Sequence, residues 1–141
     1  MMKKSIFLLL LIAFSFFWCS SIGVNRGKVT NDLQEECQKT ANEEYRYRRF
    51  SEEVGTVIST YTSHYNMNLK KCFIFLRETV RPKTKGGSVL IESLVDLDEN
   101  KSFGRFFRVG RGTEPLECSV ETKICQSQLQ WYLLVKPYLE Q

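Results

Sequence analysis

Between residues 31 and 45 the apolar positions Leu33, Cys37, Ala41 and Tyr45 recur every fourth residue, which is the spacing of one helix face. Asn31 followed three residues later by Gln34 has the form of a capping box, so the pattern predicts a helix whose apolar stripe carries Cys37 toward the core. Residues 54–68 show no clear period. Gly55, several β-branched residues and the turn-like Asn66-Met67-Asn68 mark a mixture of loop and short strand. Residues 69–80 (LKKCFIFLRETV) alternate: Cys72, Ile74 and Leu76 share one face, Phe73 and Phe75 the other. Both faces are apolar, which predicts a central strand. Residues 82–87 read as a polar loop, 88–95 (SVLIESLV) as a second strand and 96–101 as a turn rich in Asp and Asn. Residues 102–109 return with Phe103, Arg105, Phe107 and Val109 on one side, completing a hairpin. After a loop over 110–115, Ser127 as N-cap with Gln130 at N3 opens a last helix that stacks Leu129, Tyr132 and Leu133 on one face. Pro137 ends or kinks it. The expectation is an α+β fold: an N-terminal helix, a three-stranded antiparallel meander and a C-terminal helix, with the helices on one face of the sheet.

The first residues are of another kind. Lys3 and Lys4 precede an apolar run over 6–18 broken only by Ser15, short for a membrane span and about right for a signal-peptide core. Residues 1–21 are read as a signal peptide, 22–30 as a flexible leader and 31–141 as a single domain. Cleavage after Ser21 or after Gly23 would leave small residues near the cut. A rival reading places lipid on Cys19, which ends the apolar core and is followed by Ser20-Ser21, although the bulky Phe16-Phe17-Trp18 before it fits a lipobox poorly. A third leaves the segment as an uncleaved anchor. In each case contact with the membrane is confined to the signal peptide or a lipid anchor.

Composition narrows the picture. About 118 residues would remain after cleavage, enough for one domain but few enough that cross-links would help its stability. Four of the five cysteines lie in that part: Cys37, Cys72, Cys118 and Cys125. An even number in an oxidising destination favours two disulfides, with three pairings open. Removing Lys3 and Lys4 leaves 18 basic against 16 acidic residues, a balance that implies no polyanion partner.

Candidate chemistry is sparse. The cysteine spacing fits neither a redox C-x-x-C nor a zinc knuckle, and a closed zinc site would need all four cysteines or the single imidazole, His64. No metal or cofactor is expected. Residues 96–100 (DLDEN) resemble a calcium loop, but Lys101 stands where the sharp turn wants Gly and Phe107 where a bidentate Glu should close it, so a solvated hairpin turn is expected. Asn100-Lys101-Ser102 is a glycosylation sequon, which matters only in a eukaryotic secretory pathway. Residues 101–108 (KSFGRFFR) echo an RNA-recognition strand, yet Arg105 replaces a stacking aromatic and export removes the usual ligand. No nucleic-acid partner is expected. Residues 45–49 (YRYRR) read as a solvated helix face. A hydrolase triad would depend on His64 with its neighbour Ser63, and adjacent residues rarely form such a pair. Acid pairs such as Glu35/Glu36 and Glu43/Glu44 have no apolar pocket around them, and glycine-rich phosphate loops are absent, so no catalytic residues are assigned and no enzyme is expected.

The stretches CQKTANEEY, YTSHYNMNLKKCFI and DENKSFGRF, then C-x6-C running into QSQLQWYLLVKPYLE, resemble small exported bacterial proteins of uncharacterised function, over residues 37–140. The resemblance implies pairing of Cys37 with Cys72 and of Cys118 with Cys125, and a bacterial envelope rather than a eukaryotic route. Those bridges would contribute about 3–4 and about 2–3 kcal/mol through the entropy of the unfolded chain. Two functional readings follow. One is a non-enzymatic protein of the periplasm or cell envelope, soluble or lipid-anchored, that binds another protein through the arginine-bearing outer face of the hairpin. The other is a small-ligand binder or enzyme with a pocket between sheet and helices at His64, Tyr65 and Asn66. The plainer account of those three is a buried polar turn that satisfies backbone groups ahead of the central strand.

Overall fold

The structure, a computed structural model, describes residues 25–47, 55–83, 87–112 and 114–140. The segment read as a signal peptide, Cys19, the cleavage positions expected near it and Arg48-Arg49 lie outside the described residues. The chain divides into two compact units, Met1–Asp32 and Leu33–Gln141. Of the first, residues 25–32 are described and are helical. The second holds the sheet.

Helix α1 spans Asn25–Tyr47, followed by strands β1 (Gly55–Asn66), β2 (Lys71–Pro82), β3 (Val89–Asp96), β4 (Lys101–Val109), β5 (Glu117–Val120) and β6 (Lys123–Ile124), and helix α2 (Gln128–Leu139). The described strands form one six-stranded sheet in the order β1-β2-β3-β4-β5-β6, every neighbour antiparallel. The expected three-stranded meander is therefore corrected to six strands. β1 was hidden because Thr, Ser, Tyr and His populate both of its faces, so alternation separates no apolar side from a polar one. β5 and β6 are too short, at four and two residues, to show a period. They form a hairpin inside the Cys118–Cys125 loop.

The helices do not share a face. Cys72, Ile74 and Leu76 of β2 meet α1, where Ala41 packs with Ile74, Leu76 and Val95. Phe73 and Phe75, on the opposite side, join Leu90, Leu94, Phe106, Val120 and the α2 residues Trp131 and Val135. β2 lies between two strands and is covered on both faces, which explains its continuous apolar run. Both disulfides form, Cys37–Cys72 with Cα atoms 5.4 Å apart and Cys118–Cys125 with 5.0 Å.

On α1 the four-residue stripe behaves as its spacing implies, with Cys37 and Ala41 buried. The helix begins at Asn25 rather than Asn31, so Gln34 is interior and does other work. Its amide donates to the Ser63 carbonyl (3.3 Å) and accepts from the Tyr65 N–H (2.8 Å), while the Tyr45 hydroxyl donates to the Ser59 carbonyl (2.8 Å). Residues 59, 63 and 65 have one parity along β1, and in an edge strand every second residue turns its backbone groups away from the neighbouring strand. Two side chains of α1 thus take up three backbone groups on the outer rim of β1. Tyr45 also stacks on Tyr61, centroids 4.6 Å apart.

On α2 the expected inner face is wrong. Trp131 and Val135 are buried, while Leu129 and Leu133 are 69% and 60% exposed. Residues 129–135 (LQWYLLV) are apolar almost all round, so periodicity cannot choose a face; a vacancy in the sheet does. A Cβ on Gly104 would lie 2.8 Å from the Ser119 carbonyl oxygen and 3.1 Å from the Trp131 ring, so only glycine leaves room for the indole. Just before it the β3–β4 register shifts, and Phe103 leaves the side of Arg105 and Phe107 to pack edge-on against Phe73 and Tyr138, both at centroid distances near 5.3 Å. Ser127 caps α2 as expected, accepting from the Gln130 N–H, but Pro137 does not end it.

Candidate functional site

The three residues of the suspected polar pocket do not converge. Along β1, Tyr65 faces α1, and His64 and Asn66 face α2, as their partners Cys72, Phe73 and Lys71 require. Asn66 is buried. Its carbonyl oxygen accepts from the N–H groups of Asn68 and Leu69, and its amide donates to the Pro137 carbonyl (2.9 Å) in the last turn of α2. That turn lacks intrahelical partners, so Asn66 orders the β1–β2 turn and closes the helix end together. This is the role of a buried polar turn.

The acidic β3–β4 turn is organised by its own chain. Asp96, fully buried, accepts from the N–H groups of Asp98 and Glu99 and pairs with Lys71, which also meets Glu99. Those hydrogen bonds, Asp96 first, hold the Lys71 ammonium well above the ordinary lysine range. Among the described residues no cluster of ligating side chains suits a metal ion.

A second fully buried carboxylate, Glu92, sits under the start of α2. The Tyr132 hydroxyl donates to it at 2.7 Å, Arg77 lies opposite it on β2 with Nε 3.3 Å away, and Gln128 donates to Tyr132 at 2.8 Å. Burial and this bond to Glu92 push the Tyr132 phenol above its ordinary value. The neutral phenol is therefore the form that folding favours: its contribution is complete below about pH 10 and is lost as pH rises from there through the raised folded value. Difference titration of tyrosinate absorbance between the parent and Tyr132→Phe should show one phenol ionising above pH 10; a midpoint at or below it would contradict this geometry. The network fastens α2 to the sheet.

The remaining surface differs in kind. Among the described residues, α1 covers β1, β2 and the Val95 end of β3 on its face of the sheet, and none covers the rest of the β3–β5 half. Two adjoining clefts run over it, of about 580 and 460 Å³, sharing Ser102 and Arg105. Register places Arg105 directly between Ser93 on β3 and Ser119 on β5, and Phe107 between Ile91 and Glu117. The Arg105 guanidinium lies 6.0 Å from the Phe107 ring centroid, and its Nε is 3.6 Å from Glu117. Both side chains of that pair are about half exposed, at 50% and 46%, a setting in which an ion pair is worth ~0–1 kcal/mol and exchanges readily. The hairpin's arginines do not form one outer face, because Arg105 and Arg108 have opposite parity on β4. Arg108 lies on the α2 side, with its Nε buried and unbonded. Sequence reasoning named Arg105 but missed Ser93 and Ser119, which only cross-strand register brings to it.

Comparison with known families, curated proteins and solved structures finds no match. Among the described residues no helix is long and apolar enough to cross a membrane.

Proposed function

We propose that the chain is an exported bacterial envelope protein without catalytic activity, a disulfide-stapled module that binds another protein on the open β3–β5 face of its sheet. The observation that carries the reading is that Cys37, Cys72, Cys118 and Cys125 are all consumed in two buried bridges, a use of cysteine that belongs to an oxidising compartment. A positively charged start and an apolar run of signal-peptide length support it. So does the resemblance to small exported bacterial proteins. The open face supplies the binding surface: the opposite face is covered by α2, whereas this half presents Arg105, Phe107 and three serines to solvent.

Intact-mass measurement on the full chain, expressed with its leader in a bacterium and recovered from the envelope fraction, tests the location. The expected species has lost about 21 residues and gains the mass of two reduced bridges on treatment with thiol. An added lipid on Cys19 would make it an anchored form of the same protein. A full-length cytoplasmic species with all five thiols free would overturn the reading. A photo-activated cross-linker at Ser119 tests the face: it should give discrete adducts in intact cells, and the same group at Thr62 should not.

A further inference from the structure

The Ser93, Arg105, Ser119 row has the chemistry of an oxyanion site. An arginine fork matches the two oxygens of a carboxylate, and hydroxyl donors on either side can complete its hydrogen bonds. Lateral neighbours on one sheet face stand ~5 Å apart at Cβ, so the three donors span about the width of one carboxylate and its first contacts. The guanidinium lies within cation–π reach of the Phe107 ring on the same strand.

The chain's own acids show where a ligand can enter. Glu121 lines the cleft but accepts the Tyr138 hydroxyl at 3.0 Å on the α2 side, and Glu78 lies at the far end of the adjoining cleft. Glu117 reaches Arg105 through a contact of 3.6 Å that lacks hydrogen-bond geometry. We propose that the Ser93, Arg105, Ser119 row binds a side-chain carboxylate of an extended acidic peptide, and that Glu117 is the built-in carboxylate which this ligand displaces. The inference rests on the open face being the binding face, and adds the class of partner. Shape argues for a chain rather than a small free acid. The two clefts adjoin at Ser102 and Arg105 and together touch four strands, β2 to β5, so their lining is spread along a sheet face rather than closed round a small molecule.

The test uses the full exported chain with both disulfides intact and a fluorescein-labelled octapeptide of alternating Glu and Ser, followed by anisotropy at low salt. Binding should weaken as salt is raised. Arg105→Gln should reduce affinity about tenfold or more, and Glu117→Gln should raise it several-fold, because the competing carboxylate is gone. Both side chains are half exposed, and unchanged melting of the two variants would confirm that the fold is kept. Failure of the parent to bind, equal binding by Arg105→Gln, or weaker binding by Glu117→Gln would overturn the proposal. Displacement by succinate at matched carboxylate concentration would overturn the choice of a peptide. If the Ser119 cross-linker gives adducts while the octapeptide does not bind, the ligand class falls and the face stands; if both fail, the face falls too.

Discussion

Trp131→Ala should be among the most damaging single changes in the protein, lowering its stability by about 3–5 kcal/mol, the range for removing a large buried aromatic. The indole is fully buried between Phe75 and Phe106, at centroid distances of 6.3 and 6.2 Å, and sits over the one position in β4 that lacks a side chain. In a domain of this size that loss should lower the midpoint of thermal unfolding by on the order of 15 °C. Gly104→Ala should be destabilising for the complementary reason, since its methyl meets a backbone oxygen that cannot rotate away. In the Trp131→Ala background part of the Gly104→Ala cost should disappear, because the indole no longer shares the space. A double-mutant cycle measured by urea denaturation checks this; strict additivity would mean that glycine and tryptophan are not partners.

Replacing Cys37 and Cys72 together by Ala should cost about 3–4 kcal/mol, and the pair Cys118 and Cys125 about 2–3 kcal/mol, following the lengths of chain each bridge closes. Measured by denaturation in oxidising buffer, the order of the two losses is the informative result. A larger loss for the short loop would mean that the β5–β6 hairpin, rather than chain entropy, depends on its bridge. For the longer bridge the midpoint should also become dependent on protein concentration, because a loosened α1 leaves the rim of β1 unsealed.

How much of this could be read from residues alone varies from element to element. The helix stripe Cys37, Ala41, Tyr45 and the strand at Cys72–Leu76 were legible because each has one strong period and the buried side chains obey it. Both disulfides agree with the pairing that the resemblance implied. β1 was not legible, since Val57 and Ile58 fall on opposite faces among hydroxyl-bearing neighbours, so alternation marks no apolar side, and its partner lies across a turn. The inner face of α2 was not legible either. Seven nearly continuous apolar residues leave the choice to a glycine 27 positions earlier in the chain. Of the candidate site, Arg105 stands out in KSFGRFFR, but its neighbours are set by the register of three strands, and a one-residue bulge beside Phe103 reversed the expected side of that aromatic.

The cover that α1 gives the rim of β1 bears on how the protein survives its own synthesis. Twelve consecutive residues from Gly55 to Asn66 carry no acid, no lysine, no arginine and no proline, the make-up of a segment that nucleates fibrils when its border is bare. Gln34 and Tyr45 supply the cover from a helix that is made earlier and is tied to the sheet by sulphur at Cys72. A cell that leaves this chain reduced would loosen that cover and expose a polymerisation template, whereas prompt oxidation holds the helix in place over the strand.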